Sequence, residues 1–432
     1  MLKILVHEQT TRLDYICEVL FTHFVHVDYQ IFTDKKVFQK TKGIPLLYGE
    51  FPVEGYSIPN AGLMKIGHSV TPEIGQTQDW PILFPVEGPF DLSFDLFSAA
   101  FYLVSRMEEY QAAAVDEHGR YLAEASLACK AGFLEFPIVE YWLQHFLQDL
   151  ELRFPEFQVR YPTYTFAPTF DIDQAWAVRH YPLWRQLVSL PADVKRGDWQ
   201  MLKARLNTWI KHQPDPYSTF GWIEHIHHKK EAPIFFFLLG DYNAYNKNVP
   251  WDNSGLKSLI LYLLDLYEIG IHPGVYPDKG DTQAPKEKAR LEQILQKPVT
   301  KSRQHYLRFR LPNTYEALEA MSIRNEYSMG YPKRPGFRAG CSRPYPWYHL
   351  RKEEKSPLMI HPISVMDVNL NQHLGLNPEQ AKHKIQELVS AVRAVNGQFL
   401  SVWHNSSLSE LNEWTGWKSV YEDLVRQATQ QQ

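Results

Sequence analysis

The segment TFDID, Thr169 to Asp173, joins an extended run (YPTYTFAP) to a helix-like one (QAWAVRHY). At a strand end, side chains two residues apart share a face. Asp171 and Asp173 would then project together into one site. Neighbouring carboxylates repel, and burial makes the repulsion worse, so a divalent cation is the natural compensation. The plain alternative is a turn carrying two solvated acids. Histidines downstream bear on the choice. His272 closes the apolar run EIGI ahead of Pro-Gly, His305 lies in SRQHYLRFRLP, and His404 closes FLSVW. Asp, His and His with an open position form a common catalytic metal set, and zinc is its commonest occupant.

These residues need strands to carry them. From about residue 161, apolar strand-like runs (YTFAPTF, APIFFFLLG, EIGIHPG, HYLRFRLP, PLMIHPISVMD, GQFLSVWHN) alternate with helical ones (SGLKSLILYLLDLYE, PKEKARLEQILQ, NTYEALEAMS, EQAKHKIQELVSAVRAVN). Such βα alternation predicts an α/β fold with parallel strands, as a barrel or a doubly wound sheet. The C-terminal strand ends carry the chemistry in such folds, and Asp171, Asp173, Asp241, His272 and His404 all fall there. Residues 1–160 read differently. A short buried strand (LKILVH) precedes the helical RLDYICEVLFTHF. Short strands punctuated by Pro and Gly follow, then the amphipathic DLFSAAFYLVSRMEEYQ and FPIVEYWLQHFLQDLELRF. A length of 432 residues exceeds one ordinary core, so two units are expected, 1–160 and 161–432. The tail RQATQQQ is expected to fray.

Composition narrows the function classes. A net charge of −4 without a basic run argues against nucleic acid as the main partner. Cys17, Cys129 and Cys341 have neither CxxC spacing nor a disulfide framework, and they read as reduced thiols of a cytoplasmic protein. The N-terminus lacks the apolar region and cleavage site of a signal peptide, and no apolar stretch is long enough to span a bilayer. Aromatics make up 14% of the chain, which suits either a sugar-lined groove or a well-packed core.

With four strand ends in order, residues 161–410 resemble the polysaccharide deacetylase (NodB-type) domain, carbohydrate esterase family four. TFDID resembles its TFDDG motif, EIGIHPGVY the first half of its second motif, RQHYLRFRLP its Arg-bearing strand end, and SVWHN its final Leu-x-His strand. The segments PFDLSFDLFSAAFYLVSRMEEYQ and DEHGRYLAEASLA resemble the N-terminal region of a bacterial subgroup of that family. The resemblance implies a distorted or incomplete (β/α) barrel preceded by a smaller α/β N-terminal domain. It also implies one divalent metal, zinc in the first place, and hydrolysis of acyl groups, N-acetyl above all, on an amino sugar or oligosaccharide.

On that resemblance Asp171 is the base, Asp173 a metal ligand with His272, and His404 the acid that protonates the leaving amine. The family's aspartates are adjacent, whereas Ile172 separates these two, so the reverse assignment stays open. The family's second metal histidine falls on Tyr276, which leaves His305 as the candidate third ligand. Strand parity pairs Arg303 with His305 on one face and Tyr306, Arg308 and Arg310 on the other, and Arg303 is the natural arginine of the site. Arg338, in GFRAGCSRPYPWY, is a second candidate for orienting Asp171. Tyr345 and Trp347 are candidates for the wall of a sugar groove, and Asp241 for binding a substrate hydroxyl. His225, His227 and His228 in HIHHKK read as a solvated face. A different class of function, a degenerate barrel that binds a glycan or envelope precursor without turnover, follows if the loss of histidine at Tyr276 disables the metal site.

Overall fold

A computed structural model describes residues 1–110, 114–228, 231–276 and 283–430. The N-terminal region builds a four-stranded parallel sheet. Strand β1 (Leu2–Val6), buried along its whole length, is flanked by β2 (Tyr29–Phe32) and β3 (Ile44–Tyr48), and β4 (Tyr56–Ile58) pairs outside β3. A small antiparallel ladder, β5 (Ile74–Gln76) with β6 (Pro81–Leu83), stands apart from it. The helix Leu96–Val104 buries all nine residues. It is capped by the buried Asp95, which accepts from Ser98 N and Ala61 N and from the hydroxyls of Tyr48 and Ser98.

The second sheet has nine strands: β7 (Thr165–Ile172), β8 (Ile234–Phe237), β9 (Glu268–Ile271), β10 (Lys301–Ser302), β11 (Asn325–Met329), β12 (Tyr345–His349), β13 (Glu354–Pro362), β14 (Val365–Met366) and β15 (Gln398–His404). Their order is β12-β13-β11-β10-β9-β8-β7-β15-β14, parallel throughout except for β12 on β13. The two ends of that order are joined by one stretch of chain. Glu354–Pro362 pairs with β11, and after a two-residue link, Ile363 and Ser364, Val365–Met366 pairs with β15. At the switch, Ile363 N donates to Met329 O at 2.8 Å and Ser364 N to Leu400 O at 2.9 Å. The sheet therefore curls back on itself as a distorted barrel, with β12 as an antiparallel flap.

Register decides which side chains enter the lumen. Asp171 lies opposite both Phe236 and His404, and Phe236 lies opposite Gly270. With a period of two, Thr169, Asp171, Phe236, His272, Val402 and His404 face inward. Phe170, Ile172, Phe235, Phe237 and Trp403 pack outward against the helices as part of the large core. The lumen holds its own apolar cluster of Phe236, Leu307, Tyr327, Ile363, Met366, Leu400 and Val402. Gly270 is required there, because a Cβ would meet the Phe236 ring at 2.5 Å.

The two regions share one continuous apolar core rather than meeting across a wet interface. Tyr15 OH donates to Pro346 O at 2.7 Å, and Arg12 pairs with Glu353 at 2.5 Å. Several sequence expectations are corrected here. The run HYLRFRLP is not a strand: β10 ends at Ser302, and His305–Leu307 forms a 3₁₀ turn with Tyr306 (φ 60°) and Leu307 (φ 51°) left-handed. Arg308 and Arg310 leave the barrel and donate to His118 O and Gly119 O. The tail does not fray before Thr429, since Trp417–Thr429 is a helix burying Val420, Leu424 and Ala428; Gln431 and Gln432 lie outside the described residues. His227 is buried, its ring between Glu231 O and Tyr421 OH, while His225 and His228 are exposed; Lys229 and Lys230 lie outside the described residues.

Glu109 is a buried ion-pair anchor between the regions. It accepts from Arg106 at 2.7 Å and from Arg338 at 2.9 and 2.5 Å. Burial works to raise its pKa, but the two guanidiniums override this and hold it at about 2. A depressed carboxylate pKa adds stability above the unfolded value that is lost as pH falls toward the folded one. Glu109→Gln should therefore cost about 3–5 kcal/mol near neutrality, because two guanidiniums lose a buried partner. Urea unfolding should also show the difference from wild type shrinking as pH falls from about 4 to about 2.

Candidate metal centre

Asp171 is the last inward-facing residue of β7, and Arg303, just past β10, reaches it across the lumen. Arg303 Nη1 donates to Asp171 Oδ1 and to Thr169 Oγ1, both at 2.8 Å, and Nε donates to Tyr327 O at 2.9 Å. The guanidinium is fully buried and lies 4.6 Å from the Phe236 ring centre. Asp171 thus has a fixed counter-charge on one carboxylate oxygen, while Oδ2 stands 3.9 Å from His272 Nε2.

Asp173, one step beyond the strand, meets two imidazoles. Its Oδ1 stands 3.2 Å from His272 Nε2, and its Oδ2 stands 3.3 Å from His305 Nε2. One ligand atom from each of the three residues can be chosen so that all lie within 4.8 Å of one another. His272 Nδ1 is 2.7 Å from the Arg303 carbonyl. A carbonyl only accepts, so Nδ1 carries a proton, and Nε2 is the nitrogen turned to Asp173. A backbone acceptor behind a ring nitrogen is the usual support of a metal-binding histidine. Burial would lower the His272 pKa, but Asp171 and Asp173 raise it, so a positive charge, a proton or a bound cation, belongs between Nε2 and the carboxylates; Asp173 Oδ1 and His305 Nδ1 have no hydrogen-bond partner. The donor set fits one divalent ion of the zinc type. Burial works to raise the Asp173 pKa, but His305, His272 and His404 together hold it well below the ordinary carboxylate range.

His404 ends β15 beside Asp171. Its Nδ1 lies 2.9 and 3.0 Å from the oxygens of Asp367, and its Nε2 lies 3.7 Å from Asp173 Oδ2. Asp367 is fully buried and also accepts from His404 N, Val368 N and Ser407 Oγ. Burial would lower the His404 pKa, but the Asp367 carboxylate more than offsets it, and the value rises to about 10. Sequence reasoning missed Asp367, although it closes the apolar run PISVM as the other acids close theirs. All five groups (Asp171, Asp173, His272, His305 and His404) line one cavity of about 360 Å³.

Other expected site residues stand elsewhere. Arg338 is held by Glu109 and Gly330 O, packs 4.2 Å from the Phe309 ring, and does not orient Asp171. Tyr345 and Trp347 are core residues of β12, nearly fully buried, and form no groove wall. Asp241 pairs with Lys286 and Arg290 outside the cavity. Tyr276 Oη accepts from Asp241 N at 2.7 Å and the residue does not line the cavity, so among the described residues His305 is the third potential ligand the fold supplies.

Residues 2–155 match a family model described as a family of unknown function, DUF7033. No curated protein matches the chain. Among solved structures, the chain is similar to one titled "Crystal structure of putative polysaccharide deacetylase from Mycobacterium smegmatis", at 15% identity and a TM-score of 0.41, over 61% of this chain and 83% of that one.

The region matched by the family model reaches the site through Arg120. Its Nη1 donates to Tyr306 O at 2.8 Å, and Asp116 holds the other edge of the guanidinium at 2.7 Å. The left-handed turn at Tyr306 and Leu307 costs on the order of 1–3 kcal/mol per residue and persists only where neighbours enforce it. Arg120 is one such neighbour, and the turn sets the His305 ring. Arg120→Ala should weaken zinc binding about 10–100-fold in competition with a chelating dye, in line with loss of other supporting contacts around metal ligands. An unchanged affinity would show that His305 is held without it.

Proposed function

We propose that this chain is a metal-dependent hydrolase that removes an acyl group, N-acetyl in the first place, from an amino sugar or related glycan. The observation that carries the reading is the grouping of Asp173, His272 and His305 beside an arginine-held Asp171 and an aspartate-held His404. A divalent ion held by those three side chains would polarise the acyl carbonyl and acidify a water. Asp171 is the base: Arg303 occupies Oδ1 and leaves Oδ2 to take the proton of the attacking water. His404 is the acid. Asp367 holds its Nδ1 and keeps the ring protonated, so Nε2 can deliver a proton to the departing amine as the C–N bond breaks. A cavity of about 360 Å³ suits one sugar ring and its acyl group.

Asp171→Asn should retain zinc at one ion per chain and lose turnover of N-acetylated amino-sugar oligomers by at least about 10²–10⁴-fold, the usual worth of a general base. Asp173→Ala should lose the ion. Unchanged turnover in Asp171→Asn would overturn the assignment of the base. The non-catalytic reading, motivated by Tyr276, requires no stoichiometric zinc in wild type and no release of acetate on adding it back.

A further inference from the structure

Of two helices beside the cavity, the first is turned the wrong way round for a globular protein, and the second, which buries Met201 and packs Trp209 inward, leaves part of its apolar surface outside. In Leu183–Arg196, Trp184, Leu187, Val188, Pro191 and Val194 recur at helical spacing and are all exposed. Among its described side chains, the one this helix buries completely is Asp193, held by Arg205 at 2.5 Å. Gly197 ends the helix left-handed, and Asp198 caps the next, Trp199–Ile210. That helix exposes Trp199, Leu206 and Ile210, from 40% at Leu206 to 71% at Ile210. The hairpin thus presents an apolar stripe of aliphatics and two tryptophans to solvent. Between Leu183 and His212 stand six basic residues (Arg185, Lys195, Arg196, Lys203, Arg205, Lys211) and two acidic ones, a net +4 within a chain of net −4.

We propose that this hairpin docks the protein on an anionic lipid bilayer. Exposed Trp and Leu beside Lys on an amphipathic helix is the pattern of a segment lying in the headgroup layer, where anionic lipid adds about 1 kcal/mol per basic residue near the surface. A second copy of the chain is a poorer occupant, because a two-fold contact would set +4 against +4. The placement suits the site. A cavity of about 580 Å³ beside the hairpin, lined by Trp184, Val188 and Arg196, shares Tyr217, Glu413 and Trp414 with the metal-site cavity. The mouth of the site would therefore open beside the membrane.

The test is flotation of the full chain with vesicles of phosphatidylcholine alone and with added phosphatidylglycerol. Wild type should float with the anionic vesicles, and Leu187→Ser/Trp199→Ser should bind them at least about tenfold more weakly with its melting temperature unchanged. Asp173→Ala should float as wild type does, so that failure of the metal reading leaves this one standing. No flotation, or equal flotation of the double variant, overturns the proposal. So does a dimer in solution that the double variant dissociates while neither protein floats.

Discussion

Two carboxylates at one strand end, pointed into the closed mouth of a barrel, are the constraint around which the site is arranged. Unit charges about 4 Å apart repel by about 4 kcal/mol at an effective dielectric of 20. Asp171 and Asp173 must be compensated from different sides. Arg303 does so for Asp171, and it is itself fixed by Tyr327 O, Thr169 Oγ1 and the Phe236 ring. Its carbonyl sets the tautomer of His272. Two residues later the chain delivers His305. The short run after β10 therefore organises Asp171, His272 and the turn that carries His305.

The remainder of the architecture keeps this run in place. Glu354–Met366 changes partner from β11 to β15 and brings Asp367 to the back of His404. The N-terminal region is part of the same body. Its helix Thr11–Glu18 packs on the β12 and β13 side, Glu109 anchors Arg338, and Arg120 secures the turn that carries His305. Together these contacts tie a region remote in sequence to the turn that carries His305.

Strand ends were legible in the sequence because parity and apolar runs are local. TFDID, EIGIH and SVWH give β7, β9 and β15 with their polar residues at the C-terminal end. Arg303 and His305 do both turn to the site, Arg303 beneath Asp171 and His305 into the cavity, but through a 3₁₀ turn with two left-handed residues, whereas parity assumed a strand. What was not legible depends on partners far along the chain. Arg338 reads like a site arginine until Glu109, 229 residues upstream, takes it. Tyr345 and Trp347 read like a sugar platform until β12 proves to face the shared core. Arg120 carries no spacing signal, and Asp367 closes PISVM as the other acids close their runs, but the role of each lies in holding another residue. The exposed stripe on Leu183–Arg196 is periodic in sequence, but only burial reveals that its apolar side faces outward.

The central claim is that Asp173, His272 and His305 form one metal site. X-ray absorption at the zinc edge of the protein loaded with one equivalent tests it most directly. The account predicts two imidazole nitrogens and a carboxylate oxygen at about 2.0–2.2 Å, with one imidazole lost in His305→Ala. A zinc shell without imidazole scattering, or one that His305→Ala leaves unchanged, would contradict it.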